Sequence, residues 1–138
     1  MNSAGYSKTP LTKKLGIKTG FKILLINEPA HYLTLLSELP EDVDFKKNAV
    51  KSSLDFIHWF CKTKSDLKKH IDRLKNALKA DGMLWISWPK GSSSIETDLN
   101  RDEIRTFVLE SGLVDIKVAA IDEDWSGLKF VYRIKDRN

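Results

Sequence analysis

The sequence predicts an α/β fold, a three-layer sandwich in which helices cover both faces of a mostly parallel β-sheet. Short apolar runs, which are typical of buried strands, alternate along the chain with segments of helical periodicity. This alternation implies parallel strands joined by right-handed crossovers. The last two apolar runs are separated by a short connection, which predicts a C-terminal antiparallel hairpin. Because the chain has 138 residues, we expect one domain that spans residues 1–138.

The first part of the chain predicts two helices and two strands. A short helix that ends at Gly16 lies within a basic N-terminal arm, residues 1–20. Phe21–Asn27 is an apolar run too short for a helix, so it predicts a buried strand. A second helix is expected between Pro29 and Pro40, followed by a weak strand at Val43–Lys46. The apolar residues of that helix are Tyr32, Leu33, Leu36 and Leu39.

The middle of the chain predicts the centre of the sheet. Leu54–Cys61 is almost entirely apolar or aromatic, which is typical of a strand covered on both faces. An amphipathic helix follows, with Ser65 as its expected N-cap and Gly82 at its expected end. Met83–Trp88 predicts the next buried strand. The apolar stripe of the helix consists of Leu67, Ile71, Leu74 and Leu78.

The C-terminal part predicts one helix and the hairpin. Asn100 and Glu103 have the spacing of a capping box, and Gly112 is placed to end the helix that they begin. Val114–Ile121 and Leu128–Ile134 both alternate between apolar and polar residues, which predicts the two hairpin strands. In the second of these strands, the residues expected on one face are Leu128, Phe130, Tyr132 and Ile134.

Charge and composition limit the classes of function. The formal net charge is +4, and no Asp or Glu precedes Glu28, so the N-terminal arm is basic. No nucleic-acid-binding motif accompanies this charge, so we do not expect a nucleic-acid partner. No apolar run is long enough to cross a bilayer, and residues 1–20 lack the apolar core of a signal peptide. Together with the single cysteine, Cys61, these features predict a soluble cytoplasmic protein without a membrane association.

The cysteine and the histidines do not indicate a reactive or metal centre. Cys61 ends an apolar strand, which favours an inert buried thiol. His58 lies among the aromatic residues of the same strand, so a core histidine is expected rather than a general base. His31 and His70 lie on predicted helices and are expected to face solvent. Three scattered histidines and one cysteine match no zinc-ligand spacing.

Three local features resemble the methyltransferase type of Rossmann fold, and the resemblance covers residues 15–134. Leu15–Lys22 precedes the first strand as a Leu-x-x-Gly-x-x-Val-Leu segment does in that fold. Asp55 enters a middle strand, and Leu78–Leu84 is similar to the Leu-Lys-Pro-Gly-Gly-x-Leu turn before the next one. The terminal hairpin also matches. The resemblance implies a Rossmann-like three-layer sandwich with the strand order 2-1-3-4-6-5.

A closer resemblance, over nearly the whole chain, is to a family of small bacterial proteins of unknown function. Its members open with Gly-Tyr-Ser-x-Thr-Pro-Leu-x-x-Lys-Leu-Gly-Ile, which is Gly5–Ile17 here. They also carry Trp-x-Ser-Trp-Pro-Lys, here Trp85–Lys90, and Trp-Ser-Gly-Leu-Lys, here Trp125–Lys129. This resemblance implies no activity.

The chain lacks the glycine-rich loop that binds nucleotides in Rossmann folds. Such a loop needs glycines after the first strand, so that the backbone can approach the phosphate or cosubstrate. The corresponding segment here is Asn27-Glu28-Pro29-Ala30, in which Pro29 removes a backbone donor and Glu28 adds negative charge. Methyltransferases usually hold the ribose of S-adenosylmethionine with an acidic residue at the end of the second strand, where this chain has Lys46-Lys47. We therefore expect no cofactor.

A ligand of an open α/β sheet binds beyond the carboxyl ends of the strands. This chain places polar side chains and two tryptophans in that region. Lys90 beside a serine cluster favours a small anion, although such a run is also typical of a mobile loop. The two tryptophans could stack on a ligand or on each other. The candidate ligand-binding residues are Asn27, Trp88, Lys90, Ser92, Ser93, Thr97, Asp98 and Trp125.

These observations favour a non-catalytic binding or interaction domain on a degenerate methyltransferase-like scaffold. Its partner would be a small anionic ligand or another protein. One alternative is a divergent S-adenosylmethionine-dependent methyltransferase-like enzyme, which the fold resemblance supports. A second alternative is nucleic-acid binding through the basic N-terminal arm. No residue is assigned a catalytic role, since a fold does not by itself imply a function.

Overall fold

One mixed β-sheet of six strands organises the protein, whose computed structural model describes residues 9–137. The strands are β1 (Lys22–Ile26), β2 (Asp44–Lys46), β3 (Leu54–Phe60), β4 (Leu78–Pro89), β5 (Leu113–Ala120) and β6 (Trp125–Tyr132). Their order across the sheet is β2-β1-β3-β4-β6-β5. Neighbours among β1 to β4 pair in parallel, whereas β6 runs antiparallel to both β4 and β5. The predicted fold class, strand order and C-terminal hairpin are confirmed.

Helices cover both faces of the sheet. α3 (Lys64–Ala77) and α4 (Arg101–Glu110) pack on one face, and the short helices α1 (Leu11–Leu15) and α2 (Tyr32–Leu36) pack on the other. A 3-10 turn, Ile134–Asp136, follows β6. None of the helices in the described part of the chain has the length and apolar character needed to span a bilayer. Within the predicted N-terminal motif and basic arm, residues 1–8, which include Gly5, Tyr6, Ser7 and Lys8, lie outside the described residues.

Two buried side-chain hydrogen bonds attach α1 to the rest of the molecule. The indole Nε1 of Trp85 donates to the carbonyl of Leu15 at 2.9 Å. The hydroxyl of Thr12 donates to the carbonyl of Leu36 and so joins α1 to α2. Gly16 ends α1 in a left-handed conformation with φ of 87°, as the sequence predicts. The end of α1 is therefore fixed over β4 and beside α2.

The predicted ends of α3 are wrong at both sides. Thr63, not Ser65, is the N-cap, because its hydroxyl accepts the backbone N–H of Asp66 at 3.1 Å. The helix ends at Ala77, so β4 starts earlier than predicted and Gly82 lies inside it. A Cβ on Gly82 would lie 2.8 Å from the carbonyl oxygen of Leu54, so this glycine permits close contact between β3 and β4. At α4, Asn100 caps the backbone N–H of Glu103 as predicted.

α2 is shorter than the sequence predicts. It ends at Leu36, and Ser37 leaves the helical conformation with φ of 53°. Tyr32 and Leu36 are buried, whereas Leu33 is 56% exposed and Leu39 is 39% exposed. Five residues make less than two helical turns, too few to bury a continuous apolar stripe.

The hairpin also differs in detail from its prediction. β6 begins at Trp125 rather than Leu128, so the connection between β5 and β6 contains only residues 121–124. Leu128, Phe130 and Tyr132 face the α3–α4 side together, as predicted. Ile134 does not share that face, because it lies in the 3-10 turn and is 81% exposed.

His58 is a buried core histidine, as the sequence predicts, and it is fully hydrogen-bonded. Its Nδ1 lies 2.7 Å from the hydroxyl of Tyr32, and its Nε2 lies 2.7 Å from the hydroxyl of Ser87. The ring stacks on Phe60 with a centroid separation of 4.3 Å. Burial lowers the pKa of His58 to about 3, so the ring is neutral at physiological pH. Strand β3 is thereby joined to α2 on one side and to β4 on the other.

Gly127 gives Ser87 the space that it occupies. A Cβ at position 127 would lie 2.9 Å from the Ser87 hydroxyl oxygen and 3.1 Å from the Trp85 ring. Both neighbours are fully buried, so neither can move away without disturbing the core. A glycine is therefore required where β6 passes beside the His58 hydrogen bonds.

Replacement of Gly127 by alanine is expected to lower the free energy of unfolding by about 2 kcal/mol, because the added methyl group overlaps two buried side chains. Urea denaturation measures the change. Gly91→Ala is the matched control, since a Cβ there would meet no atom within 4 Å. A Gly127→Ala variant as stable as the Gly91→Ala variant would contradict the close contact.

Acidification is expected to destabilise the protein through His58. An imidazole in the unfolded chain binds a proton near its ordinary pKa of 6.5, whereas the folded pKa is about 3, so protons stabilise the unfolded state. Between about pH 7 and about pH 5, this group alone should reduce the free energy of unfolding by about 2 kcal/mol. Urea denaturation at both pH values tests this. His58→Asn should lack the effect and His70→Asn should keep it; an NMR titration showing His58 protonated at pH 5 would count against it.

Candidate functional site

The carboxyl ends of β1, β3 and β4 lie at one edge of the sheet, which we call the carboxyl edge. The β5–β6 turn, residues 121–124, lies there too, because β6 runs antiparallel to β4 and places Trp125 opposite Pro89. Ligands of open α/β sheets bind at such an edge. The candidate site is therefore built from the loops that follow these strands and from the turn.

Asp122 organises the β5–β6 turn. Its Oδ1 accepts the backbone N–H groups of Asp124 at 2.8 Å and Trp125 at 2.9 Å. Its Oδ2 lies 2.8 Å from Nε2 of His31, just before α2. One carboxylate therefore shapes the turn and joins it to the loop that follows β1.

Asp124 joins the same turn to the loop after β4. Its carbonyl accepts the backbone N–H of Lys90 at 2.8 Å, and its carboxylate accepts the hydroxyl of Ser93 at 2.9 Å. The Ser93 oxygen also accepts the backbone N–H of Ile95. Ser93 was predicted to contact a ligand. In the structure its hydroxyl is already used within the protein, both as a donor and as an acceptor.

Thr97 and Asp98 hold the loop after β4 against the loop after β3. The Thr97 hydroxyl donates to the carbonyl of Lys62 at 2.7 Å, and Asp98 accepts the backbone N–H of Lys64 at 2.8 Å. A shallow groove of about 540 Å³ lies between the two loops, lined by Lys62, Thr63, Ile95, Glu96, Thr97 and Asp98. Two carboxylates against one lysine give this lining a net negative charge, which disfavours an anion.

Trp88 and Trp125 lie on opposite faces of the sheet and do not meet. Trp88 belongs to the core beneath α3 and α4, whereas Trp125 belongs to the core on the α1–α2 side. Trp125 makes an edge contact with Phe60, with ring centroids 5.0 Å apart. Each tryptophan is only 7% exposed, so neither presents a free ring face to a ligand.

Three other predicted residues are accessible. Asn27 is exposed and has φ of 57°, a left-handed conformation that asparagine tolerates better than most residues. Ser92 is exposed and Lys90 is half-buried, and neither side chain has a hydrogen bond or ion pair within residues 9–137. A ligand role for these three residues stays a prediction.

A groove between β1, β2 and α2 was missed by the sequence analysis. It has a volume of about 470 Å³, within the range of small-molecule sites. Leu33 and Phe45 line it and are 56% and 39% exposed. We call it the β1–β2 groove, and its lining consists of Leu24, Leu25, Glu28, Leu33, Phe45, Lys46 and Lys47. Its charged residues could have indicated it in the sequence. Glu28 and the pair Lys46-Lys47 are the positions at which the chain differs from a typical methyltransferase, and all three line the groove.

The remaining reactive residue types do not form a site. Burial raises the pKa of the Cys61 thiol to about 11, so it is an inert core thiol. His58 is enclosed on both sides by its hydrogen bonds. Among residues 9–137, no group of three or more His, Cys, Asp or Glu side chains is arranged to hold a metal ion.

No protein-family model matches the chain, and no curated protein does either. Solved structures with a similar fold include a TehB-like SAM-dependent methyltransferase from Corynebacterium glutamicum, with 13% identity and a TM-score of 0.55 over 83% of this chain and 82% of that chain. A SAM-dependent methyltransferase from Aquifex aeolicus has 14% identity and a TM-score of 0.59, over 87% and 86% of the two chains. The fibrillarin pre-rRNA processing protein of Methanococcus jannaschii has 14% identity and a TM-score of 0.51, over 83% and 67%. At such identities the similarity shows the fold, which is a methyltransferase-like Rossmann fold.

Asp122→Ala is expected to lower the free energy of unfolding by about 2 kcal/mol, because two backbone N–H groups lose a charged acceptor. Exchange of the Trp125 amide hydrogen should also become faster, since its partner is removed. Urea denaturation and hydrogen exchange measure the two effects. Glu123→Ala in the same turn is the control, because its side chain is exposed; equal losses in both variants would refute the role of Asp122.

Proposed function

We propose that the protein is a divergent methyltransferase-like protein that binds S-adenosylmethionine in the β1–β2 groove. Solved methyltransferases with a similar fold support this interpretation better than the non-catalytic binding domain that the sequence favoured. One observation carries the proposal. At the edge where this fold class binds ligands, a groove combines apolar walls, a carboxylate and two cations.

The groove matches S-adenosylmethionine in polarity. That molecule has a planar aromatic adenine, a ribose diol, a sulfonium centre and a methionine end that carries a carboxylate and an ammonium group. Phe45 and Leu33 offer exposed apolar surface for the adenine. Lys46 is already paired with Asp44 at 2.8 Å, which leaves Lys47 as the cation for the ligand carboxylate.

Glu28 supplies the carboxylate that the end of β2 lacks. Its negative charge disfavours a nucleotide, because the charge repels a phosphate. S-adenosylmethionine has no phosphate, so the objection does not apply to it. A carboxylate that lines the groove can accept the ribose hydroxyls or attract the positive end of the ligand.

The loop after β1 compensates in part for its missing glycines. Asn27 adopts the positive φ that a glycine would normally supply there. Pro29 removes one backbone donor, and we expect the carboxylate of Glu28 to offer a side-chain contact in its place. When bound, S-adenosylmethionine supplies a methyl group activated by its sulfonium centre. The residues of the groove bind and orient it.

S-adenosylmethionine at about 1 mM is expected to raise the unfolding temperature by about 5 °C, which corresponds to about 1.4 kcal/mol for a Kd of about 0.1 mM. Calorimetric titration with S-adenosylmethionine and S-adenosylhomocysteine measures the affinities directly. Phe45→Ala and Glu28→Gln should each weaken binding about tenfold, because each removes one contact of the groove.

Matched controls lie outside the groove. Ile116→Ala removes an exposed apolar side chain of β5, and Glu123→Gln neutralises an exposed carboxylate of the β5–β6 turn. Both controls should bind the ligand like the unaltered protein. An absence of heat and of thermal shift at millimolar ligand would overturn the proposal, and so would equal losses in the groove variants and their controls.

A further inference from the structure

Four lysine side chains lie on the α1 side of the sheet, away from the β1–β2 groove. Lys14 is in the last turn of α1, Lys18 follows the helix, and Lys117 of β5 lies opposite Lys129 of β6 in the hairpin register. The Lys117 amine donates to the carbonyl of Lys14 at 2.8 Å. The Lys14 amine donates to the carbonyl of Ala120 at 3.3 Å. We call this group the lysine cluster.

Lys129 is the recessed member of the lysine cluster. Its Nζ lies 3.3 Å from the position that a Cβ on Gly16 would occupy, so the end of α1 lies against its amine. Its side chain is half-buried, whereas Lys18 and Lys117 are exposed. The Trp85 indole fixes this end of α1 through the Leu15 carbonyl. The position of the Lys129 amine against the end of α1 is therefore well defined.

In the described part of the chain, no carboxylate lies within ion-pair distance of the lysine cluster. Within residues 9–137, none of its four members forms an ion pair, whereas Lys46, Lys64 and Lys79 each contact an acidic side chain. The N-terminal arm cannot provide an acidic side chain either, because no Asp or Glu precedes Glu28 in the sequence. Burial, Lys117 and Lys18, in that order, lower the pKa of Lys129. The concentrated positive charge is thus unfavourable until an anion binds.

We propose that the lysine cluster binds the phosphate group of a small phosphorylated ligand. A phosphate carries up to two negative charges and several acceptor oxygens, which suits the amines of Lys129, Lys117 and Lys18, since they come from separate parts of the chain and lie near enough to repel one another. The Lys117 amine is already oriented by the carbonyl of Lys14, so little of its side-chain freedom is lost on binding. This site is independent of the groove proposed for S-adenosylmethionine.

The arrangement favours a small ligand over a nucleic acid. A nucleic-acid backbone is a row of phosphates and is matched by exposed lysines distributed along a surface. Here the exposed amines of Lys18 and Lys117 lie beside one half-buried lysine, Lys129. A single phosphate can reach that half-buried amine more easily than a polymer can.

Calorimetric titration with inorganic pyrophosphate at constant ionic strength tests the proposal. One saturable site with a Kd below about 1 mM is expected. Lys129→Gln should weaken binding about tenfold, because a hydrogen bond between charged groups is lost. Lys117→Gln should also weaken pyrophosphate binding. Because Lys117 is exposed, this variant replaces Lys129→Gln in the test if Lys129→Gln does not fold. NMR of the unaltered protein should show that pyrophosphate raises the pKa of Lys129.

Lys68→Gln is the matched control, since it removes an exposed lysine of α3 on the other face of the sheet. Its affinity for pyrophosphate should equal that of the unaltered protein. Failure to saturate, or an equal loss in the control, overturns the proposal. A short single-stranded oligoribonucleotide that binds more tightly than pyrophosphate, with no loss in Lys129→Gln, also overturns it. Titration of S-adenosylmethionine into Lys129→Gln reports on the β1–β2 groove separately, so the two proposals fail independently.

Discussion

The two hydrogen bonds of the buried His58 ring position much of the candidate site. One joins β3 to Tyr32 of α2, and the other joins β3 to Ser87 of β4. A helix of five residues has little stability of its own, so the contact of Tyr32 determines where α2 lies. The position of Leu33, which lines the β1–β2 groove, follows from the placement of α2. On the other side, Ser87 lies against Gly127, so the His58 ring also determines how closely β6 can approach.

The sheet could be predicted because its evidence is local and repeated. The apolar runs of β1, β3 and β4 identify buried strands, and the alternation of β6 identifies the face that Leu128 and Phe130 share. The helix boundaries were harder to predict. Thr63 and Ser65 are both plausible caps by residue type, and only the path of the chain after Cys61 makes Thr63 the one whose hydroxyl meets a free N–H. Likewise, nothing local shows that β4 begins directly after α3.

The candidate site was less predictable than the fold for a physical reason. A hydroxyl or carboxylate near a strand end can face a ligand or a neighbouring loop, and the sequence pattern is the same in both cases. Ser93, Thr97 and Asp98 bond to neighbouring loops. Conversely, Leu33 and Phe45 are apolar residues of a type usually found in a core, and they line a groove instead. The reason is that α2 ends early and β2 is the outermost strand of the sheet.

The hydrogen bonds of the β5–β6 turn affect the entropy cost of binding a ligand beside it. Asp122 contacts His31 before α2, and Asp124 contacts Ser93 after β4, so three connecting segments restrain one another. Loops that are already ordered lose little conformational entropy when a molecule binds beside them. Association at the carboxyl edge would then resemble the docking of two preformed shapes. Its affinity would depend on the contacts made and on the water displaced, more than on the ordering of the chain.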